Sequence, residues 1–175
     1  MTYRLFFCFS YNRFEVTFRL EFYTPQELSE IIRRAGARLG VEVSEEGAWE
    51  LATRARGTPR IALRLLRRAR DVAQVAKAPL IDRELARRTL NMLGIDEEGL
   101  DGLDRRILEV IIDRFDGGPV GLETLAAALG EDRDTISEVY EPYLIARGFI
   151  RRTPQGRQVT EKAYRHLGRT STSLF

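Results

Sequence analysis

The stretch FIRRTPQGRQVT, which runs from Phe149 to Thr160, decides how the C-terminal half of this 175-residue chain folds. An apolar pair leads into two short runs on either side of a Pro-Gln-Gly turn, and this arrangement predicts a two-stranded hairpin. Arg151, Arg152 and Arg157 crowd onto this small hairpin, where like charges repel one another. Such a concentration of positive charge indicates a surface that meets negative charge.

The segments around the hairpin predict a winged helix, a relative of the helix-turn-helix. A helix over DRRILEVIIDRF is followed by the turn and very short strand of GGPVG, and a short helix over LETLAAALG ends at Gly130. A longer helix follows, bent at Pro142. Its expected inward residues are Ile136, Val139, Tyr140, Tyr143 and Leu144. A last helix is expected from Glu161 to Leu167.

The hairpin arginines, together with Arg133 at the start of the longer helix, suit the backbone of duplex DNA. Repulsion among exposed arginines is modest in water and is relieved when phosphates lie between them. The backbone amides of that helix start also favour phosphate. Few nearby groups could read bases, so mostly non-specific, salt-sensitive binding is expected. The alternative is that these arginines form a merely solvated face, and many winged helices bind proteins instead of DNA. From the residues, DNA is the preferred interpretation.

The N-terminal half predicts a small helical domain. TPQELSEIIRRAGARLG opens a helix with the capping box of Thr24 and Glu27. Further helices follow Ser44, Thr58-Pro59 and Asp82. The fold class is therefore mainly α, with five expected segments: a β-strand segment over 1–23, a four-helix domain over 24–94, a linker over 95–103, a winged helix over 104–168 and a tail over 169–175.

Composition excludes several classes of site. The chain has 28 Lys and Arg against 26 Asp and Glu, so the net charge of +2 says little about partners. One cysteine and one histidine, Cys8 and His166, cannot form an internal disulfide and are too few for a typical zinc site; no metal site is predicted. A helix-surface or packing role is expected for His166. No apolar run approaches the length of a membrane span, and a cytoplasmic protein is expected.

A nucleotide site is incomplete in this sequence, because the phosphate-binding pattern G-x-x-x-x-G-K-[ST] is absent. Arg60 follows Gly57-Thr58-Pro59 in the first turn of the third helix, where an arginine and a helix N-terminus suit phosphate. The residues alone favour the plainer interpretation of an amphipathic helix whose arginine stems shield its core.

Several long strings, in order, resemble the C-terminal half of the RuvB family, the AAA+ motors of bacterial Holliday-junction branch migration. They are RLEFYTPQEL, RARGTPRIALRLLRRARDVAQV, LDRRILEVIIDRFDGGPVGLETLAAALGE, the EPYLI, GF and RTPQGR runs, and AYRHLG. The resemblance implies an AAA+ lid domain of four helices followed by a winged helix, preceded by a remnant of the ATPase core.

The family pattern also implies roles for particular positions. Arg13 matches the arginine finger, which reaches ATP in the neighbouring subunit, and Tyr23 and Arg60 match a nucleotide-contacting tyrosine and the sensor-2 arginine. The positions that match DNA contacts are Arg133, Arg152 and Arg157. In the intact family the cofactor is ATP or ADP with Mg, and the partners are Holliday-junction DNA arms, RuvA, RuvC and further copies in a homohexamer that serves recombination, repair and the SOS response.

The sequence departs from the family in ways that affect activity. Arg13-Phe14-Glu15-Val16 stands where the family usually reads Arg-Phe-Gly-Ile, Gln155 stands at the wing tip where arginine is common, and residues 1–12 match nothing in the family. Without the phosphate-binding loop, the chain alone is expected to be inactive as an ATP hydrolase. The alternative function is a stand-alone winged-helix DNA-binding regulator without ATPase activity.

Overall fold

The structure, a computed structural model, describes residues 22–170. The predicted fold class is confirmed, because helices dominate the described residues and only short strands accompany them. The chain divides into two compact units between Gly99 and Leu100. The strand expected over residues 1–23 lies almost wholly outside the described residues.

The N-terminal unit contains four helices and a small parallel sheet. The helices are α1 (Pro25–Arg38), α2 (Glu45–Thr53), α3 (Pro59–Ala76) and α4 (Arg83–Met92). Strands β1 (Glu42–Val43) and β2 (Leu80–Ile81) pair in parallel, with Glu42 opposite Leu80 and Val43 opposite Ile81. This pairing was not anticipated, since two-residue strands leave almost no periodic signal in a sequence.

Side-chain caps explain where three of these helices begin. Thr24 and Glu27 form the predicted capping box at α1, Ser44 Oγ accepts a bond from the Gly47 amide, and Asp82 accepts one from Leu85. The helices enclose an apolar core whose fully buried large members are Leu28, Ile32, Leu51, Leu65, Leu66 and Ile81. This core gives the unit its own source of stability.

The C-terminal unit has the element order of a winged helix. Its helices are α5 (Gly102–Phe115), α6 (Leu122–Leu129), a π-helical segment (Thr135–Tyr140) continuing into α7 (Glu141–Ala146), and α8 (Glu161–His166). Strands β3 (Ile150–Thr153) and β4 (Gly156–Val159) pair antiparallel as the predicted hairpin, and Val120 adds a bridge to Arg157. A second core surrounds Ile107, Leu108, Ile111, Leu125 and Phe149.

The π-helical segment overturns one expectation about the longer helix. Val139, predicted to face inward, is 59% exposed. The Glu141 amide donates to the carbonyl of Ile136, five residues back, so each turn is wider than in an α-helix. Pro142 has no N–H to continue the α-helical pattern. The wider turn carries Val139 off the buried face and brings Glu141 onto it, with only 1% of Glu141 exposed.

Within the described residues, no helix is both long enough and apolar enough to cross a bilayer.

Candidate nucleic-acid interface and nucleotide-binding residues

The wing places its arginines on two faces. In the register of β3 and β4, Arg152 lies opposite Arg157, and Arg151 lies opposite Gln158. Because successive residues of a strand point to opposite faces, the 152–157 pair shares one face and Arg151 occupies the other. Arg151 donates two hydrogen bonds to Gln158 Oε1, at 3.2 and 3.0 Å. The sequence prediction of an arginine-bearing hairpin is therefore confirmed, with the arginines divided between its faces.

The tight turn of the wing depends on Gly156. Its φ of +140° is a conformation that residues with a side chain rarely adopt, and an added Cβ would collide with the Val120 carbonyl oxygen. The main chain of Arg157 then exchanges two hydrogen bonds with Val120, at 2.9 and 2.8 Å. These contacts tie the wing to the turn that precedes α6.

Glu141 at the start of α7 gathers the two arginines of one wing face. Its Oε1 accepts from Arg152 Nε at 2.6 Å and from Arg157 Nε at 3.0 Å, and its Oε2 accepts from Arg157 Nη2 at 3.0 Å. Arg157 is held by two bonds and is 18% exposed, whereas the Arg152 side chain is 59% exposed. Arg157 is thus largely covered, and Arg152 is the accessible member.

Electrostatics stabilise this arrangement in its charged form. Burial by itself raises the pKa of Glu141, but hydrogen bonds from Arg152 and Arg157 outweigh it and hold the pKa below its usual value. The hydrogen bond to Glu141 also raises the pKa of Arg152. One carboxylate faces two guanidinium groups, so the group of three side chains keeps a net charge of +1.

Arg133 lies at the start of the longer helix, as predicted, but carboxylates surround it. Its Nη1 donates to Glu123 at 2.7 Å, and its Nε lies 3.4 Å from Asp134. The hydrogen bond to Glu123 is the main cause of a raised Arg133 pKa. The Asp132 carboxylate accepts from the amides of Asp134 and Thr135. A side-chain oxygen therefore occupies these two amides in this structure, and their binding to a phosphate stays a prediction.

The two nucleotide candidates in the N-terminal unit lie near the start of α3. The Tyr23 amide donates to the Gly57 carbonyl at 3.0 Å, and its side chain is 47% exposed. Arg60 is exposed in the first turn of α3. The Thr58 hydroxyl makes no cap hydrogen bond and instead donates to the Arg56 carbonyl at 3.3 Å. The structure therefore brings Tyr23 to the loop that leads into Arg60, and Arg13 lies outside the described residues.

Most other arginines of α3 form a solvated face, which is the plainer interpretation of that helix. Arg64, Arg67 and Arg68 are exposed, while Leu65 and Leu66 between them are buried. Their long stems cover the apolar core as the helical spacing indicated.

A second carboxylate cluster, centred on Glu50 of α2, was missed by sequence reasoning. Glu50 is buried and receives Arg54 at 2.8 Å, Arg87 at 2.9 Å and Arg83 at 3.3 Å. Burial raises the pKa of Glu50, yet the hydrogen bond from Arg87 and the charge of Arg54 lead a set of interactions that lower it overall. The cluster ties α2 to α4, so its evident role is structural.

The sequence prediction also missed Glu141, and weak sequence signals existed for both Glu50 and Glu141. Glu50 and Arg54 stand four apart on one helix, which is a spacing for an ion pair, although the arginines of α4 could not be assigned to it. Glu141 directly precedes Pro142 in a run that was otherwise interpreted as an apolar helix face.

The single histidine packs as expected, since the His166 ring meets Phe149 edge-on at 5.2 Å between centroids. Among residues 22–170, no group of three or more His, Cys, Asp or Glu side chains could hold a metal ion.

A four-helix AAA+ lid followed by a winged helix is the class of protein that these two units define. The family model of the RuvB AAA lid domain matches residues 23–96, and that of the RuvB C-terminal winged helix domain matches residues 97–168. The chain therefore belongs to the RuvB family.

Solved structures agree with this assignment. The Thermotoga maritima RuvB Holliday junction branch migration motor is 54% identical to this chain, with a TM-score of 0.84 over 86% of this chain and 51% of that one. A single-residue variant of Thermotoga maritima RuvB is also 54% identical, with a TM-score of 0.86 over 90% of this chain and 52% of that one. This chain spans about half the length of the structures it matches.

Proposed function

We propose that this chain is the DNA-binding and nucleotide-sensing portion of an ATP-dependent motor of Holliday-junction branch migration, acting in recombination and repair in the cytoplasm. The main support is that the family models of the RuvB lid and the RuvB winged helix match adjacent segments, which together cover residues 23–168. The similar Thermotoga protein is described as a branch migration motor. The proposed partners are duplex arms of the junction, RuvA, RuvC and further copies arranged as a homohexamer.

The wing is the proposed contact with the duplex. Arg152 is exposed on the two-stranded hairpin, and an arginine fork suits phosphate because it is planar and permanently charged. Such contacts bind backbone without reading sequence. Arg157 contributes from a more covered position beside it, and Arg133 contributes only by exchanging its carboxylate partners for phosphate.

The exposed surface of the longer helix disfavours the alternative of a site-specific regulator. Asp132, Asp134 and Glu138 are exposed there, and Val139 adds an apolar side chain. Carboxylates repel the phosphates that flank a major groove and cannot pair with guanine. This segment is therefore poorly suited to enter the groove and read guanine.

Tyr23 and Arg60 are the proposed nucleotide contacts of the lid. The α3 N-terminus fits an anion, because no side chain caps it and Arg60 stands in its first turn. Tyr23 would contact the nucleotide and Arg60 its phosphates, so that the lid responds to their presence. When bound, ATP with Mg supplies the free energy of phosphoanhydride hydrolysis. Arg13 is the proposed arginine finger toward a neighbouring subunit, and no ATP turnover by the chain alone is expected.

A titration of fluorescent duplex DNA at two salt concentrations tests the proposal. We expect weak binding that falls steeply with salt, and Arg152→Ala weakens it about tenfold because a charge-assisted contact is lost. Arg165→Ala is the matched control, because it also removes one positive charge. Arg165 is exposed on α8, beside Glu161.

Equal losses for Arg152→Ala and Arg165→Ala would show a general charge effect and contradict a wing contact. Selection from random duplexes should yield no strong motif; a single dominant motif would instead support the regulator.

A further inference from the structure

We infer that Glu141 is a positioning residue for DNA binding, which holds the Arg152 and Arg157 guanidinium groups side by side so that their remaining N–H donors meet one phosphate. This inference rests on the proposed contact between the wing and a duplex. Glu141 itself does not touch DNA in this arrangement, because it is buried beneath the two arginines.

The first support is the sharing of one oxygen atom. Glu141 Oε1 lies 2.6 Å from Arg152 Nε and 3.0 Å from Arg157 Nε. This shared oxygen atom therefore holds two guanidinium groups side by side, although their like charges would otherwise repel. A phosphate offers several acceptor oxygens, and one arginine fork can donate to two of them through parallel N–H···O bonds.

The second support is which donors the carboxylate leaves over. Arg152 uses Nε alone, and Arg157 uses Nε and Nη2. Within residues 22–170, the other three guanidinium nitrogens donate no hydrogen bond. The carboxylate therefore fixes the inner edges of both arginines and leaves outer donors for a ligand.

The third support is the backbone that delivers Glu141. The π-helical turn and Pro142 rotate this carboxylate from the solvent side of a regular helix onto the buried side, where it meets the wing. Widened turns of this kind occur frequently at functional sites. Arginines held in advance lose less rotamer freedom when they bind, and this preorganisation favours binding.

A rival interpretation makes Glu141 a competitor that keeps the arginines from DNA. The two interpretations predict opposite effects of Glu141→Gln. Removing a negative charge beside two arginines strengthens binding if Glu141 competes, but weakens it if Glu141 positions them. The matched control is Glu138→Gln, which removes one negative charge from an exposed position of the neighbouring π-helical segment.

The experiment uses the full chain and a 20-base-pair duplex, titrated at low and moderate salt. We expect Glu141→Gln to bind about fivefold more weakly than the unaltered protein, from the ordering of two long side chains on binding. Glu138→Gln should bind equally or more tightly. Unchanged or tighter binding by Glu141→Gln overturns the inference.

Arg152→Ala separates this inference from the proposed function. If Arg152→Ala binds normally, the wing contact itself fails and the positioning role fails with it. If Arg152→Ala is weakened while Glu141→Gln is not, the wing contact stands and only the positioning role is rejected.

A measurement on the unaltered protein covers the case in which Glu141→Gln does not fold. The Nε–H signals of Arg152 and Arg157 should show restricted motion in ¹⁵N relaxation experiments without DNA. The matched reference is Arg106, an exposed arginine on α5. If Arg152 Nε is as mobile as Arg106 Nε, the carboxylate does not hold it and the inference is wrong.

Discussion

At the scale of the residue, two buried glutamates organise the charge of this protein. Glu50 gathers three arginines within the lid, and Glu141 gathers two beneath the wing. A buried carboxylate is costly unless hydrogen bonds satisfy it, so each glutamate depends on its arginines. The two clusters connect different parts of the protein. Glu50 connects two helices of the lid, and Glu141 connects α7 to the wing face that is proposed to bind DNA.

The Glu50 cluster predicts an acid-sensitive lid. The folded-state pKa of Glu50 lies below its unfolded value of about 4.3. The contribution of Glu50 to folding stability is therefore fully present when the pH is above the unfolded pKa. It is lost as pH falls through the lowered folded-state pKa. We expect Glu50→Gln to reduce the free energy of unfolding by about 2 kcal/mol at pH 7, since Arg83 and Arg87 stay partly hydrated. Its stability should also vary less with pH below pH 4, as measured by urea unfolding.

The control for this experiment is Glu30→Gln, which disrupts the exposed Glu30–Arg34 pair on α1. Exposed pairs contribute between about 0 and 1 kcal/mol, so little change is expected. Equal effects of Glu30→Gln and Glu50→Gln would contradict the importance of the buried cluster.

At the scale of the element, two helices begin with the same Thr-Pro pair but in different ways. Thr24 caps α1 through Glu27 in a complete capping box, whereas Thr58 gives α3 no side-chain cap. Sequence alone makes these starts look equivalent, apart from the glutamate of the box. The uncapped start of α3 is the one that bears Arg60, at the proposed nucleotide contact.

This difference predicts unequal effects of one substitution. Thr24→Ala should lower the free energy of unfolding by about 1 kcal/mol, because the Glu27 amide loses its acceptor. Thr58→Ala should cost less, since it removes only the weaker bond to the Arg56 carbonyl. Urea unfolding followed by Trp49 fluorescence measures both; a larger loss for Thr58→Ala would reverse the assignment of the caps.

At the scale of the whole molecule, the chain consists of two units with separate apolar cores. Leu51 belongs to the first core and Phe149 to the second, and both are fully buried. The single tryptophan, Trp49, lies in the lid. Lid unfolding can therefore be followed by fluorescence, while circular dichroism reports on the helices of both units.

Separate cores predict separate responses to cavity-creating substitutions. Leu51→Ala should destabilise the lid by about 3 kcal/mol and shift the Trp49 fluorescence transition to lower urea. Phe149→Ala should destabilise the winged helix by a similar free energy. It should shift the winged-helix part of the circular dichroism transition and leave the Trp49 fluorescence transition unchanged. A fluorescence shift of the same size in both variants would show that the units unfold as one.

Local sequence patterns determined most of the architecture. Apolar spacing, Thr24, Ser44 and Asp82 caps, and stop glycines predicted the helices, because capping and periodic burial act within a few residues. The arginine-bearing hairpin was likewise predicted from one short stretch of sequence. The prediction of Val139 as a core residue failed, since a regular helical period cannot anticipate a π-helical turn.

Only the tertiary structure decided which charges meet. Glu141 finds Arg152 and Arg157, 11 and 16 residues further along, and Glu50 finds Arg83 and Arg87, 33 and 37 residues further along. The pairing of β1 with β2 likewise joins distant segments. A carboxylate can be buried only where folding has already delivered its cationic partners. Sequence spacing therefore predicted where the wing arginines lie, and three-dimensional packing decided how they are held.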